Sequence, residues 1–184
     1  MKRVMIVGQP GSGKSTLARL MGEKTGLPVI HVDRIHHLPG WVERPRDEKI
    51  AMALAEQAKP EWIFEGSLSA TVEDRFERSD IVIWLDLPLA LRFWRVFWRS
   101  VRYYGQTRPD MQDDCPEEFH YAFYKWIWDT RHTGRLKWLE LKSKADGKKP
   151  FHHLQSRKAV ADFLSELDAG RVSGHVALDG HLPN

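Results

Sequence analysis

The chain has 184 residues, 42% of them hydrophobic and 29% charged, with a formal net charge of +3. That composition describes a soluble globular domain with a core of its own, and no apolar run approaches the roughly 20 residues of a membrane span. The lone cysteine, Cys115, excludes an internal disulfide and a cysteine-based metal site and fits a reducing, cytoplasmic setting, while so mild a charge argues little for a nucleic-acid partner.

Val4-Met5-Ile6-Val7 reads as a buried strand, entered too directly from Met1-Lys2-Arg3 for a signal peptide. Gly8-Gln9-Pro10-Gly11-Ser12-Gly13-Lys14-Ser15-Thr16 follows, the pattern G-x-x-x-x-G-K-S of a phosphate-binding loop between a strand and a helix. The spacing has a physical logic. The glycines supply backbone angles that let the N–H groups point inward, and the helix N-terminus adds partial positive charge. Gly8, Pro10, Gly11, Ser12, Gly13, Lys14, Ser15 and Thr16 are therefore expected to hold ATP, with Lys14 on the β- and γ-phosphates and the Ser15 hydroxyl on Mg²⁺.

The helix continues through Leu17, Leu20 and Met21 and ends at Gly26-Leu27-Pro28. Val29–Val32 is a short second strand closed by Asp33. A Pro-, Gly- and His-rich loop runs to about Pro45, and helix signals resume over 47–58. A third strand, 61–64, ends at Glu65-Gly66, and a helix over 70–78 leads to Ile81-Val82-Ile83-Trp84-Leu85, the clearest buried-strand signal in the chain. Pro88 opens a long helix to about Tyr104, and an acidic, turn-like passage covers 110–118. A Trp-rich helical region, interrupted near Thr133-Gly134, extends to about Ala145. Phe151–Leu154 is a weak last strand, and 158–167 a final amphipathic helix. Strands alternating with helices predict a three-layer α/β fold, with five parallel strands between helices. From Gly170 the periodicity is gone, as in a disordered tail or a remnant added for expression.

No N-K-x-D guanine-reading motif accompanies the loop, and the chain is short for a helicase motor or a transporter ATPase, so small kinases remain. Here the sequence resembles the adenylate-kinase-like P-loop family, and more closely the bacterial proteins named DNA topology modulation proteins. The resemblance rests on Gly8–Thr16, on His31–Trp41 (HVDRIHHLPGW), on Phe64-Glu65-Gly66 and on Ser79–Pro88 (SDIVIWLDLP), and it spans about residues 1–168. It implies a P-loop kinase domain over 1–168, with an acceptor-binding insertion at about 34–60, a helical lid at about 105–135 and a disordered tail over 169–184. In nucleoside-monophosphate kinases an acid followed by Gly holds Mg²⁺ through water. Glu65 takes that place where the family often has Asp, and Asp86 is a second acidic candidate. The acceptor is expected to meet Asp33, Arg34, Trp41, Arg44 and Glu65.

From Leu87 to Pro109 no acidic residue occurs, but Arg92, Arg95, Arg99, Arg102 and Arg108 do, the first four within an arc of about 80° of one helix face at roughly 100° per residue. Phe93, Trp94, Phe97, Val101 and Tyr104 lie opposite, as a core face would. The family carries two arginines four residues apart into the transfer site from this helix, which implies Arg95 and Arg99, while Arg131 and Arg135 would close from the lid. Planar donors suit the charge on a transferring phosphoryl group.

A basic, aromatic-flanked helix also suits DNA phosphates or a membrane surface, both weaker readings here, since no helix-turn-helix pattern appears and an α/β fold needs an aromatic core face. The histidines form no metal-ligand spacing. The sequence thus predicts an ATP- and Mg²⁺-dependent phosphotransferase acting on a small molecule. An ATP-binding regulatory or DNA-associated protein with little turnover, and a kinase of a hydroxylated metabolite, stay open as alternatives. The oligomeric state is not legible.

Overall fold

The structure is a computed structural model, described here for residues 1–172. Its centre is a five-stranded parallel sheet of β1 (Arg3–Gly8), β2 (Val29–His31), β5 (Trp62–Glu65), β6 (Ile81–Leu85) and β7 (Phe151–Leu154), in the order β2-β5-β1-β6-β7. A strand covered on both faces needs apolar residues at every position, and β1, β5 and β6 are buried almost throughout. Their residues divide by the two-residue period of the pleat. Met5, Val7, Trp62, Phe64, Val82 and Trp84 face one core, while Val4, Ile6, Ile63, Ile81, Ile83 and Leu85 face the other. The second core is closed by α1 (Lys14–Thr25), through Leu17 and Met21, and by α8 (Arg157–Asp168), through Phe163. The first is closed by α2 (Val32–His36), α3 (Arg46–Gln57), α4 (Val72–Arg78) and α7 (Thr133–Ala145). The three-layer α/β architecture and its five parallel strands are as the sequence predicts.

The strand order reverses about β1, with β5 and β2 added on one side and β6 and β7 on the other. Open α/β sheets bind ligands in the crevice at the carboxyl ends of such strands, and β1 runs into the glycine-rich loop at that edge.

Four local readings are corrected. The second strand stops at His31, and Val32 and Ile35, one helical turn apart, bury in the first core, so Asp33 stands in the first turn of α2 rather than at a strand end. The Pro-, Gly- and His-rich loop contains a small antiparallel hairpin, β3 (His37–Leu38) and β4 (Val42–Glu43), around a tight turn at Pro39–Trp41. In the Trp-rich region the break lies at Thr130–His132, between α6 (Tyr121–Asp129) and α7; Trp138 is core, but Trp126 and Trp128 are exposed.

The fourth correction is the largest. In α5 (Leu89–Arg102) the residues turned inward are Arg92, Val96 and Ser100, and Trp94, Phe97, Trp98 and Val101 are exposed. The face read as core is outside, because this helix packs against the glycine-rich loop, whose carbonyls want donors, rather than against the apolar sheet. Of the tail expected to be disordered over 169–184, residues 173–184 lie outside those described. Among the described residues no helix is long and apolar enough to cross a membrane.

This orientation of α5 has a measurable consequence. In urea denaturation Trp98→Gln is expected to change stability by no more than about 0.5 kcal/mol, as for a surface site. Trp84→Ala, at a position 1% exposed, is expected to cost about 3–5 kcal/mol. A large loss from Trp98→Gln would mean that the aromatic face is covered.

Candidate functional site

The glycine-rich loop curls back on itself. Ser12 N–H donates to the Gln9 carbonyl at 3.2 Å, and Lys14 Nζ donates to the same oxygen at 3.2 Å. Gly11 (φ +75°) and Gly13 (φ +94°) sit in the left-handed region, and Gly13 caps α1, whose first turn carries no acidic residue. The positive end of α1 is therefore left free for an anion. The Ser12 hydroxyl is buried without a protein partner, a donor that a phosphate oxygen would satisfy.

The loop also presents carbonyls toward α5, which takes two of them. Arg95 Nη1 donates to Ser12 O at 2.9 Å and Arg92 Nη1 to Pro10 O at 3.4 Å. The approach is close: a Cβ on Gly11 would stand 2.5 Å from the Arg92 carbonyl. Gln9 ties the loop to the α6–α7 corner as well, its Nε2 donating to Thr130 O and Arg131 O at 3.1 and 2.9 Å.

Beside the loop opens a cleft of about 800 Å³. Lys14, Ser15, Asp33, Trp41, Glu65, Arg95 and Arg99 all line it, seven predicted residues drawn from separate stretches of chain. Glu65, at the end of β5, is 3% exposed and accepts a 2.7 Å bond from His31 Nδ1 with one of its oxygens. Burial pushes the Lys14 ammonium below its ordinary pKa, against the pull of Glu65 and Asp33. Asp33 is exposed on the cleft side, yet the protein packed around it displaces part of its water. That desolvation, with the Glu65 carboxylate nearby, raises its pKa, and Arg108 and Lys14 oppose the rise. Desolvation and the neighbouring Arg108 lower the pKa of Arg99, opposed by Glu117.

Five other predicted residues are engaged away from the cleft and are not among those lining it. Asp86 accepts from His153 Nε2 at 2.9 Å and from Arg135 Nε at 3.0 Å, so the acid that was a candidate for metal water is held by two cationic or polar partners, and Arg135 is spent on it. Arg131 folds back over the Trp128 ring and donates to the Trp128 carbonyl at 2.7 Å. Arg34 Nη2 donates to Pro109 O at 2.6 Å, and Arg44 Nε to Ile35 O at 3.0 Å.

Sequence reasoning missed Arg108, Asp110 and Glu117, which line the cleft. Glu117, in a passage read as an acidic turn, is 4% exposed. Its Oε1 accepts from Arg99 Nη2 and Ser100 Oγ, both at 3.0 Å, and its Oε2 lies 2.7 Å from Arg108 Nε. The single available signal was Arg108 itself, the last of an unpaired basic run followed by acids. The segment holding these residues is interlocked with the 37–43 hairpin. Gly40 N–H donates to Asp114 O at 2.9 Å, Trp41 N–H to Cys115 Sγ at 3.3 Å and Trp41 Nε1 to Pro116 O at 2.8 Å.

No family model matches the sequence. Among curated proteins, threonine synthase-like 1 of Homo sapiens is 27% identical over 146 residues, 71% of this chain and 20% of that protein. The Mus musculus protein of the same name is 27% identical over 143 residues, 68% and 19%. The chain thus spans about a fifth of the length of these relatives. Among solved structures, shikimate kinase from Acinetobacter baumannii in complex with shikimate has a TM-score of 0.55 at 15% identity, covering 91% of this chain and 90% of that one. Shikimate kinase from Aquifex aeolicus has a TM-score of 0.50 at 16% identity, covering 97% and 99%. The chain has the fold of P-loop kinases.

Gly11→Ala tests the loop. A methyl group here meets backbone, and φ +75° strains any side chain, so the loop must open away from α5. A loss of about 1–3 kcal/mol in stability is expected. Titration calorimetry should show ATP affinity at least roughly tenfold weaker, by loss of the preorganised cradle. Unchanged affinity would mean that the loop does not grip phosphate in this form.

Proposed function

We propose that the protein is an ATP-dependent phosphotransferase that moves the γ-phosphoryl group of ATP to a small acceptor. What carries the reading is the convergence of Lys14, Asp33, Glu65, Arg95 and Arg99 on one cleft beside the glycine-rich loop. The shikimate kinases that share the fold support it. A cleft of about 800 Å³ favours a small acceptor over a DNA duplex, and the likeness to DNA topology modulation proteins is one of motifs. A buried lone thiol, Cys115, fits a cytoplasmic enzyme.

The residues fit Mg²⁺ in part. Ser15 and the Glu65 carboxylate are hard oxygen donors lining the cleft with Lys14, whereas Asp86 is committed to Arg135 and His153. Bound there, the ion would neutralise charge on the nucleotide phosphates. The chain's own groups do the rest. The loop N–H groups and Lys14 hold the β- and γ-phosphates. Arg95 and Arg99 face the charge that spreads over the transferring group. The acceptor oxygen attacks the γ-phosphorus, the bond to the bridging oxygen breaks, and ADP leaves with the electron pair. Where the acceptor is a hydroxyl, its proton passes to the Asp33 carboxylate. Arg131 and Arg135 join this set only if the α6–α7 corner moves from Gln9 and Asp86, the lid motion that the family resemblance implies.

A phosphotransfer screen with γ-labelled ATP and Mg²⁺ against nucleosides, nucleotides, sugars and hydroxy acids tests the assignment. Lys14→Ala is expected to abolish transfer while the protein stays folded, and Arg95→Ala to lower kcat on the order of a hundredfold. Full activity in folded Lys14→Ala would sink the assignment.

The raised pKa of Asp33 gives a second test. A general base works deprotonated, so activity should fall as pH drops through its folded pKa. Because burial and Glu65 raise that pKa, the acid limb should lie above the range of an exposed aspartate. Asp33→Asn should remove the limb and cut kcat roughly 10²–10⁴-fold with ATP affinity retained. A pH profile identical in Asp33→Asn would assign the proton to another group.

A further inference from the structure

This inference rests on the phosphotransferase reading and concerns what its acceptor is. Beyond the phosphate loop the cleft is walled by the start of α2, the 37–43 hairpin and the segment from Tyr103 to His120. Its charges there are unbalanced. Asp33, Asp110, Glu117 and Glu118 line it against only Arg99 and Arg108. Both guanidiniums are already partnered. Arg108 Nη1 donates to Asp110 at 2.8 Å and its Nε lies 2.7 Å from Glu117, while Arg99 donates to Glu117 through both Nη2 and Nε, at 3.0 and 3.2 Å.

An acceptor that already bears phosphate or carboxylate would add negative charge to this surplus. Drawing either guanidinium toward itself would weaken its pairing with Glu117, which is too buried to recover water in exchange. Leaving a buried carboxylate unpaired is among the costlier changes a protein undergoes. The wall is built to repel an anion, not to clamp one.

Trp41 supplies the second observation. It holds a left-handed backbone (φ +59°), uncommon for a bulky residue and sustained only where the surroundings over-determine it. Its backbone N–H and its indole N–H are both bound, to Cys115 Sγ and Pro116 O, and His37 packs edge-on at 5.2 Å. The indole is thereby fixed as part of the cleft lining, 37% exposed, with no donor left to offer. What remains for a ligand is a flat apolar surface.

We propose that the acceptor is an uncharged, hydroxyl-bearing compound with a flat ring, with the chemistry of a nucleoside rather than a nucleotide, stacked on Trp41 with its hydroxyl at Asp33. Glu117 is the positioning residue that sets this choice, acting by offsetting the charge of Arg99 and Arg108 on the acceptor side while leaving Arg99 Nη1 for the transferring group. The acceptor oxygen forms the new bond to the γ-phosphorus, ADP departs with the electrons of the bond that breaks, and the hydroxyl proton goes to Asp33.

The test compares nucleosides, their 5′-monophosphates, hydroxy acids and acyclic polyols as acceptors with the whole chain, ATP and Mg²⁺, read by phosphorus NMR of the products. Nucleosides are expected to exceed the other three classes in kcat/KM. Trp41→Ala should raise the nucleoside KM roughly tenfold, as for loss of one stacked base, with kcat nearly unchanged and Trp41→Phe restoring it. Glu117→Gln should lower the KM for monophosphates relative to nucleosides. If that variant fails to fold, Asp110→Asn, which releases Arg108 Nη1 while the Glu117 pair stays, reads the same shift in smaller degree. Monophosphates or hydroxy acids matching nucleosides in the unaltered protein would overturn the proposal. So would the absence of transfer to any nucleoside in a protein that binds ATP through Lys14. In either case the phosphotransferase reading is judged separately, by ATP binding and by transfer to the other classes; loss of ATP binding itself would overturn both.

Discussion

A loop that turns its N–H groups toward a phosphate must turn carbonyls the other way, and those carbonyls need donors. That requirement organises the molecule around residues 9–13. Lys14 answers the Gln9 carbonyl from within the loop, Arg92 and Arg95 answer Pro10 and Ser12 from α5, and the Gln9 side chain reaches the α6–α7 corner. Charge-assisted bonds to carbonyls are stronger than neutral ones and explain why a helix this rich in arginine lies against the loop rather than in water. They also fix arginine side chains before any ligand arrives, which is what electrostatic stabilisation of a transferring group demands.

The same requirement shows where sequence reading succeeded and failed. The sheet was legible because strands covered on both faces need unbroken apolar runs, and Val4–Val7 and Ile81–Leu85 have them. The phosphate loop was legible because its backbone geometry forces glycine at fixed spacing. In α5 the periodicity was read correctly but its polarity was inverted. An aromatic stripe opposite an arginine stripe says only that two faces differ. Which one turns inward depends on the neighbour, and that neighbour, residues 10–13, lies some eighty positions away. Asp33 was placed at the right edge of the sheet but on the wrong element, because Val32 suits a strand and a helix alike.

The wall of the proposed acceptor site was the least legible part, for a different reason. Its residues come from a hairpin and from a segment about seventy residues later, joined by bonds from Gly40 and Trp41 to Asp114, Cys115 and Pro116. No local pattern announces such an interlock, because each side is short and irregular. Seen singly, Glu117 is one acid in an acidic turn; seen with Arg99 and Arg108, it decides the charge of the site.

That interlock also bears on how the protein would move. A lid over 105–135, as the family resemblance implies, would have to travel as one piece, but Pro109 and Asp114–Pro116 are bound to residues 34–41 of the acceptor wall. The α6–α7 corner is fastened differently, by the Gln9 side chain and by the exposed side of the Arg135–Asp86 pair. Attachments made by the tips of two side chains, Gln9 and Arg135, break at lower cost than an interlock that includes a backbone bond, Gly40 N–H to Asp114 O, and a buried cysteine. Motion is therefore expected to divide within the stretch, with the corner at Thr130–Arg135 free to swing while residues 107–117 remain with the acceptor wall. On that division, closing would bring Arg131 and Arg135 toward a site whose acceptor side is already formed, so that closure assembles the charge needed for transfer and leaves acceptor choice untouched.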